Sequence, residues 1–277
     1  MGMQQILFAY GGSGGGGGFQ TETNTWESRV VALGGTVTSP DKALADALVV
    51  ALKAGTYWSS LQYFLAFIGP DTVHHRVPLI DKLNVGAAGN TGFVDGDCDT
   101  ATGLVNAAGS AKVFNTHVRP DALNGGATNA AGMGIYLRTW TNGSAVEPCG
   151  TYDAAAQRWV IDLRSGLEAF RWSDVSTAVP STATAATAAH YYGQAASATD
   201  RKLARNGTVI ASSTTNKSLG NVTAEILVAG CVDHVGAYTY TKGTYGAFYL
   251  TNGGLTNTDI TNIHNDIGTY LITPTGR

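Results

Sequence analysis

Apolar and polar positions follow two different periods along this chain, and the change falls near residue 70. From Gln20 the spacing is helical. Trp26, Val30 and Leu33 stand at i, i+4 and i+7, with Asn24 and Glu27 as a capping pair and Gly34 closing the turn. A second helix reads from Ser39 as N-cap and Pro40 at the first helical position, through Leu44, Leu48 and Leu52 on one stripe, to Gly55 at its end. Tyr57 to Tyr63 predicts a third short turn passing into the apolar run Phe64 to Ile68, bounded by Gly69-Pro70. Short helices with apolar faces are unstable alone, so these pack on one another and on the remainder of the chain.

Beyond Pro70 the helical period gives way to short β-like runs. They are Lys112 to His117, Gly134 to Trp140, Arg158 to Leu163, Glu168 to Trp172, Leu203 to Asn206, Thr208 to Ala211, Glu225 to Ala229 and Gly246 to Leu250. Trp159, Ile161 and Leu163 alternate with Val160 and Asp162, as a half-buried strand should, which puts Trp159 in the core. The clearest unit is Lys202 to Ser212, KLARNGTVIAS. Asn206-Gly207 supplies the positive φ values that a two-residue hairpin turn demands, so Arg205 faces Thr208, Ala204 faces Val209 and Leu203 faces Ile210. A lone hairpin is marginal in water and needs a sheet around it. Turn signals at roughly ten-residue intervals match an antiparallel sandwich or jelly roll. Ser173 to Asp200 is rich in Ala, Ser and Thr, with His190-Tyr191-Tyr192 as an ordered strand inside it. At the end of the chain Ile260, Ile263, Ile267 and Tyr270 recur at helical spacing behind the cap pair Thr256 and Asp259.

Composition narrows the function classes. Charged residues make up only 13%, beside 36 glycines, and the net charge of -3 offers no basic field for nucleic acid or an anionic membrane surface. Cys98, Cys149 and Cys231 lie far apart, giving neither a zinc site nor a disulfide framework. The N-terminus lacks a basic leader, its apolar run Ile6 to Tyr10 is too short for a signal peptide or a membrane span, and Ile6 breaks a myristoylation pattern. Folding in a reducing cytoplasm is the expectation. Gly11 to Gly18 has no following Gly-Lys-Ser/Thr to cradle phosphate and reads as a flexible linker. Residues 1–18 are thus an apolar tag on a tether, suited to docking on a neighbouring subunit by strand addition.

Candidate chemistry is sparse. Asp95, Asp97 and Asp99 put three carboxylates at alternate positions, an oxygen-rich calcium candidate lacking the Gly and Glu of a calcium helix-loop-helix. A turn with solvated acids is the simpler account. His74 and His75 point to opposite faces of an extended segment and read as surface residues. His117, His190, His234 and His264 stand singly, and no G-x-S-x-G supplies a nucleophile. Glycoside hydrolysis needs two carboxyl groups across one bond, whereas the strand Ala224 to Ala229 carries Glu225 alone. Tyr238 and Tyr240 place two rings on the same side of an extended strand, where a sugar could stack. Four Asn-x-Ser/Thr triplets, from Asn142, Asn206, Asn216 and Asn221, follow from composition.

The hairpin Leu203 to Ala211, then Glu225 to Gly230 and Gly246 to Leu250 with its closing helix, resembles the concanavalin A-like, laminin-G-like jelly-roll family. The glycine run, Lys53-Ala54-Gly55, Tyr57-Trp58, Leu65 to Gly69 and the terminal Thr-Gly-Arg resemble tailed-phage virion proteins carrying a lectin-like sandwich. That resemblance implies a mainly β, antiparallel sandwich at 71–277 behind a small helical collar at 19–70 and the Gly-rich arm. It also implies a non-enzymatic virion appendage, in a capsid decoration, tail fibre or baseplate, made in the host cytoplasm. Its partners would be other virion proteins gripped through the arm and host-surface polysaccharide, while the tethered apolar tag and the few-charge surface point to self-association as a trimer. Calcium is common in related lectins; otherwise no cofactor is implied. A free carbohydrate-binding module is the alternative reading, and a glycan hydrolase or depolymerase the third.

Overall fold

In the computed structural model, residues 18–99, 101–107, 111–126, 130–140, 147–153, 157–164, 167–173, 178–181, 188–216, 222, 224–232 and 238–272 are described. The apolar tag and the glycine run up to residue 17 lie outside that set, as does His234. Helix α1 (Thr21–Ala32) buries Thr23, Trp26 and Val30. Its N-cap is Gln20 rather than Asn24, and Leu33 is left 42% exposed, because the helix stops at Ala32 and Gly34 at φ 90° turns the chain. Helix α2 (Ser39–Ala54) is capped one residue earlier than expected, by Thr38, whose Oγ1 accepts the Asp41 N–H at 3.3 Å. Leu48 and Leu52 are buried, while Leu44 is half-buried. Two more helices follow, α3 (Thr72–Arg76) and α4 (Asn257–Ile267). The Thr256–Asp259 box at the head of α4 closes at 3.1 and 3.2 Å and buries Ile260, Ile263 and Ile267, as the spacing predicts.

The strands in chain order are β1 (Leu61–Ala66), β2 (Ile80–Asp81), β3 (Gly89–Thr91), β4 (Cys98–Asp99), β5 (Gly103–Asn106) and β6 (Val113–Asn115). Next come β7 (Ala131–Trp140), β8 (Cys149–Asp153), β9 (Gln157–Arg164), β10 (Leu167–Ser173), β11 (Ala178–Ser181) and β12 (His190–Ser197). The last six are β13 (Asp200–Arg205), β14 (Thr208–Ser213), β15 (Leu227–Val228), β16 (Gly230–Val232), β17 (Tyr238–Tyr240) and β18 (Gly243–Asn252). One antiparallel sheet runs β14-β13-β12-β7-β18-β1-β2, with β5 also paired to β18 and β4 to β5. The second runs β11-β10-β9-β8-β15-β6-β3, and β16-β17 form a separate ribbon.

Two cores explain why the central strands read as unbroken apolar runs. Tyr245, Phe248 and Leu250 of β18 face the second sheet, in a core shared with Met133, Ile135, Trp159 and Ile161. Ala247 and Tyr249 face the other way, into a core shared with Trp26, Leu48 and Ile263 of the helices. The nine-stranded sheet is therefore covered on both faces, one by its partner sheet and one by the helices. Each large side chain so sealed contributes roughly 1.5–3 kcal/mol.

Four expectations are corrected. The helical turn expected over Tyr57 to Tyr63 ends at Ser59, and Leu61 to Tyr63 already belong to the strand. Phe64 to Ala66 are the second half of β1, paired with β18 on one side and β2 on the other, and burial on both faces removes the alternation that marks a strand. The sheet thus draws on residues from both sides of position 70. In the hairpin, Asn206 and Gly207 take φ 49° and 76°, and the pairs Arg205–Thr208 and Ala204–Val209 form. Leu203, however, faces Ala211, because Ile210 is the extra residue of a bulge on the edge strand. Asp162 is not on a solvated face: it is sealed and accepts a 2.5 Å bond from Arg171 Nε. His74 and His75, expected at the surface, are fully buried. Asp71 caps α3 by accepting the His74 N–H at 3.0 Å, so the pair sits on a helical turn, His74 edge-on to Trp26 and His75 against Phe67.

Candidate functional site

The acid triplet does not converge. Asp95 Oδ1 accepts the N–H and hydroxyl of Thr72 at 3.0 and 2.9 Å, Asp97 takes the Val94 N–H and the Lys112 ammonium, and Asp99 Oδ1 takes the N–H groups of Ala101 and Thr102. Those backbone donors hold the Asp99 carboxyl below the usual carboxylate range. Each acid terminates a different turn, and among the described residues no group of three His, Cys, Asp or Glu side chains is arranged to hold a metal ion. Tyr240 is half-buried in the β16-β17 ribbon, opposite Gly230; the Tyr238 side chain lies outside the described residues. Glu225 is bonded by Asn115 Nδ2 at 2.5 Å and approached by His117 Nδ1 at 3.5 Å. The three cysteines are buried and none is in a disulfide; burial raises the Cys149 thiol well above its ordinary range and pushes Cys98 up to about 12. Neither Cys98 nor Cys149 is a thiolate nucleophile at neutral pH.

A different place gathers polar groups. On its helix-facing side, β7 presents the row Gly132, Gly134, Tyr136, Arg138. A Cβ at Gly132 would lie 2.1 Å from the Tyr192 hydroxyl, and one at Gly134 2.1 Å from the Tyr249 ring, so the two glycines let those rings lie flat on the strand. Tyr249 stacks on Tyr192 at 5.7 Å and on Phe64 at 5.8 Å, and its hydroxyl is 2.9 Å from His190 Nε2. His190 in turn stacks on His264 of α4, 5.3 Å away and 8° from parallel.

This aromatic row emerges at an open cleft of about 600 Å³ between β7, the approach to β12, the tip of the β13-β14 hairpin and the end of α4. Tyr136, Arg138, Asn206, His264, Asn265 and Thr269 line it. Asn206 is fixed by its own Oδ1, which accepts the His190 N–H at 2.9 Å. The Arg138 guanidinium donates to the carbonyl oxygens of Ala101 and Leu271, tying the β4-β5 turn to the segment after α4. Its Nε–H is enclosed and without a partner. Burial lowers the pKa of Arg138, opposed by Tyr136 and Asp99, yet a guanidinium stays charged. Burial also lowers the pKa of His264 and takes His190 down to about 3, so both imidazoles are neutral at pH 7.

In the sequence Asn206 stands out as a turn residue and the head of an Asn-x-Thr triplet and His264 as a solitary histidine, and nothing singles out Tyr136 or Arg138. The period-two row of two glycines, an aromatic and a cation was the available signal.

No family model matches the chain, and no curated protein matches it. Solved structures match in fold. A structure of botulinum neurotoxin type C, whose cell entry depends on interaction with two ganglioside molecules, aligns over 76% of this chain and 52% of its own, at 10% identity and TM-score 0.51. A Trypanosoma rangeli sialidase mutant displaying trans-sialidase activity aligns over 82% of this chain and 38% of its own, at 13% identity and TM-score 0.51. The carbohydrate-binding module CBM40 of the Ruminococcus gnavus IT-sialidase, bound to α2,3 sialyllactose, aligns over 58% of this chain and 95% of its own, at 12% identity and TM-score 0.46. This chain thus spans about half of the toxin chain and under two fifths of the sialidase mutant. The fold is a mainly β, antiparallel jelly-roll sandwich.

Proposed function

We propose that this chain is a lectin-like sandwich that acts by contact with glycan rather than by catalysis, and that the cleft beside α4 is its contact surface. One observation carries the reading: an aromatic edge, a guanidinium, two amides and an imidazole converge on one open cleft. Saccharides are recognised by such a mixture of apolar ring and directed hydrogen bonds. The ganglioside and sialidase contexts of the two fold neighbours support a glycan as the ligand class. The test is a glycan array with the full chain, repeated with Asn265→Ala and Arg138→Gln. Binding that both substitutions weaken about tenfold, the loss of one or two directed hydrogen bonds, supports the cleft. Undiminished binding in both moves the contact elsewhere, Tyr240 being next to substitute. Sugar release from any array hit, abolished by Glu225→Gln, would overturn the non-catalytic reading.

A narrower reading places the sandwich on a virion, held by residues 1–18 against a neighbouring subunit and displayed as a trimer. The glycine run and the Tyr57-Trp58 and Leu65 to Gly69 patterns support it. Mass spectrometry of purified particles and sedimentation of the intact chain test it. A monomer absent from particles leaves the free module.

A further inference from the structure

The charge around the cleft narrows the ligand class beyond glycan in general. Among its described lining residues there is one permanent cation, Arg138, and no carboxylate. This is notable in a chain whose acids outnumber its Lys and Arg, 20 to 17. Acids on α4 and on the β4-β5 turn that Arg138 holds are engaged elsewhere: Asp99 by the N–H groups of Ala101 and Thr102, Asp266 by the Tyr57 hydroxyl, and Asp259 by Thr256 and Thr56. The guanidinium leans on two neutral carbonyl oxygens, and no described side-chain carboxylate pairs with it. Asp99 attracts it without contact, so no described carboxylate closes an ion pair on it. Of its five N–H donors two are spent on those carbonyls, and one, Nε–H, is enclosed. Around it the side-chain groups left over also donate. Asn206 has used its oxygen on the His190 N–H and retains its amide N–H₂, and Asn265 presents an exposed amide. A half-buried cation with amide N–H groups beside it and no carboxylate among the described lining attracts an anion, and a planar guanidinium suits a carboxylate better than it suits a hydroxyl.

We infer that the cleft takes an acidic saccharide, one whose sugar carboxylate meets Arg138 while its hydroxyls meet the two amides. The inference rests on the cleft being a glycan site. The volume of the cleft, about 600 Å³, accommodates a di- or trisaccharide rather than a bare ion.

The test is calorimetric titration of the full chain with two matched pairs of probes. These are 3′-sialyllactose against lactose, and trigalacturonate against its carboxyl-reduced trimer, each with inorganic sulfate as a competitor. The acidic member of at least one pair should bind about tenfold more tightly than its neutral counterpart, the share of one charge-assisted hydrogen bond. That preference should shrink as salt is added. In Arg138→Gln the ratio of acidic to neutral affinity should collapse toward one. Asn265→Asp, an exposed substitution that adds a carboxylate at the rim, should reduce the same ratio without touching the core. Equal binding of acidic and neutral probes overturns the inference while leaving the glycan site standing. Acidic preference that survives Arg138→Gln also overturns it, and so does full displacement by sulfate, which would mark a general anion site. No binding by any probe, acidic or neutral, removes the glycan reading of the cleft along with it.

Discussion

Glu168 of β10 and Tyr191 of β12 meet across the interior of the sandwich, the phenol donating to the carboxylate at 2.8 Å with both side chains fully buried. Arg205 Nη1 donates to the same oxygen at 2.9 Å. The clasp joins the two sheets by charge-assisted bonds near the hairpin whose tip frames the cleft. Tyr191→Phe removes the donor and leaves a buried carboxylate under-satisfied, so it should lower unfolding stability by about 1–3 kcal/mol. Chemical denaturation measures this, with an unchanged denaturant slope expected because the same surface is exposed on unfolding.

The stacked pair His190 and His264 should make the fold acid-sensitive well above the range of carboxylate titration. Both have folded pKa values below the unfolded 6.5, His190 through burial and then the charge of His264, and His264 through burial. Between pH 6.5 and about 3 the unfolded chain binds protons that the folded chain refuses, so stability present above 6.5 is lost as pH falls. Urea midpoints should decline from pH 6.5 to 4.5. His190→Gln should start less stable and decline less steeply.

Helix α4 seats His264 through its neighbour Ile263, which is fully buried. Ile263→Ala should cost about 2–5 kcal/mol, the range for deleting a buried aliphatic side chain. Leu33→Ala removes an apolar side chain of similar size from a position 42% exposed, and should stay within about 0.5 kcal/mol of wild type. Equal effects would contradict the assignment of the two faces.

Gly103 stands at φ 94°, and a Cβ there would lie 2.2 Å from the Tyr245 carbonyl oxygen. Gly34 stands at φ 90° with open space around it. Alanine at 34 should cost only the backbone strain, about 1–2 kcal/mol, whereas alanine at 103 must also move β18 and should cost visibly more. Thermal melts of the two variants side by side decide it.

Calcium should not change the melting temperature. Asp95, Asp97 and Asp99 are engaged by separate turns, and a cation bound at ten times its dissociation constant would add about 1.4 kcal/mol. A rise of several degrees with millimolar calcium, reversed by chelation, would restore the cation site.

Local chemistry was legible in the sequence and convergence was not. Asn206-Gly207 announces its turn because few residues tolerate positive φ, and Thr256 with Asp259 announces a helix start because the two side chains satisfy each other's backbone donors. β1 was misread because burial on both faces erases the period-two pattern. His74 and His75 were misplaced because a five-residue helix started by Asp71 is too short to leave a periodic trace. The cleft draws Arg138, Asn206 and His264 from three distant segments, so only the pairing of β7 with β12 and the docking of α4 bring them together.

The placement of β18 also governs how the molecule is made. It lies between β7 and β1 in the sheet, yet it is translated after both. Until Gly243–Asn252 leaves the ribosome, those two long apolar strands each offer an open flank to any other extended chain nearby. The sheet therefore closes only once β18 has emerged, and the polypeptide short of it is the form most exposed to wrong pairing.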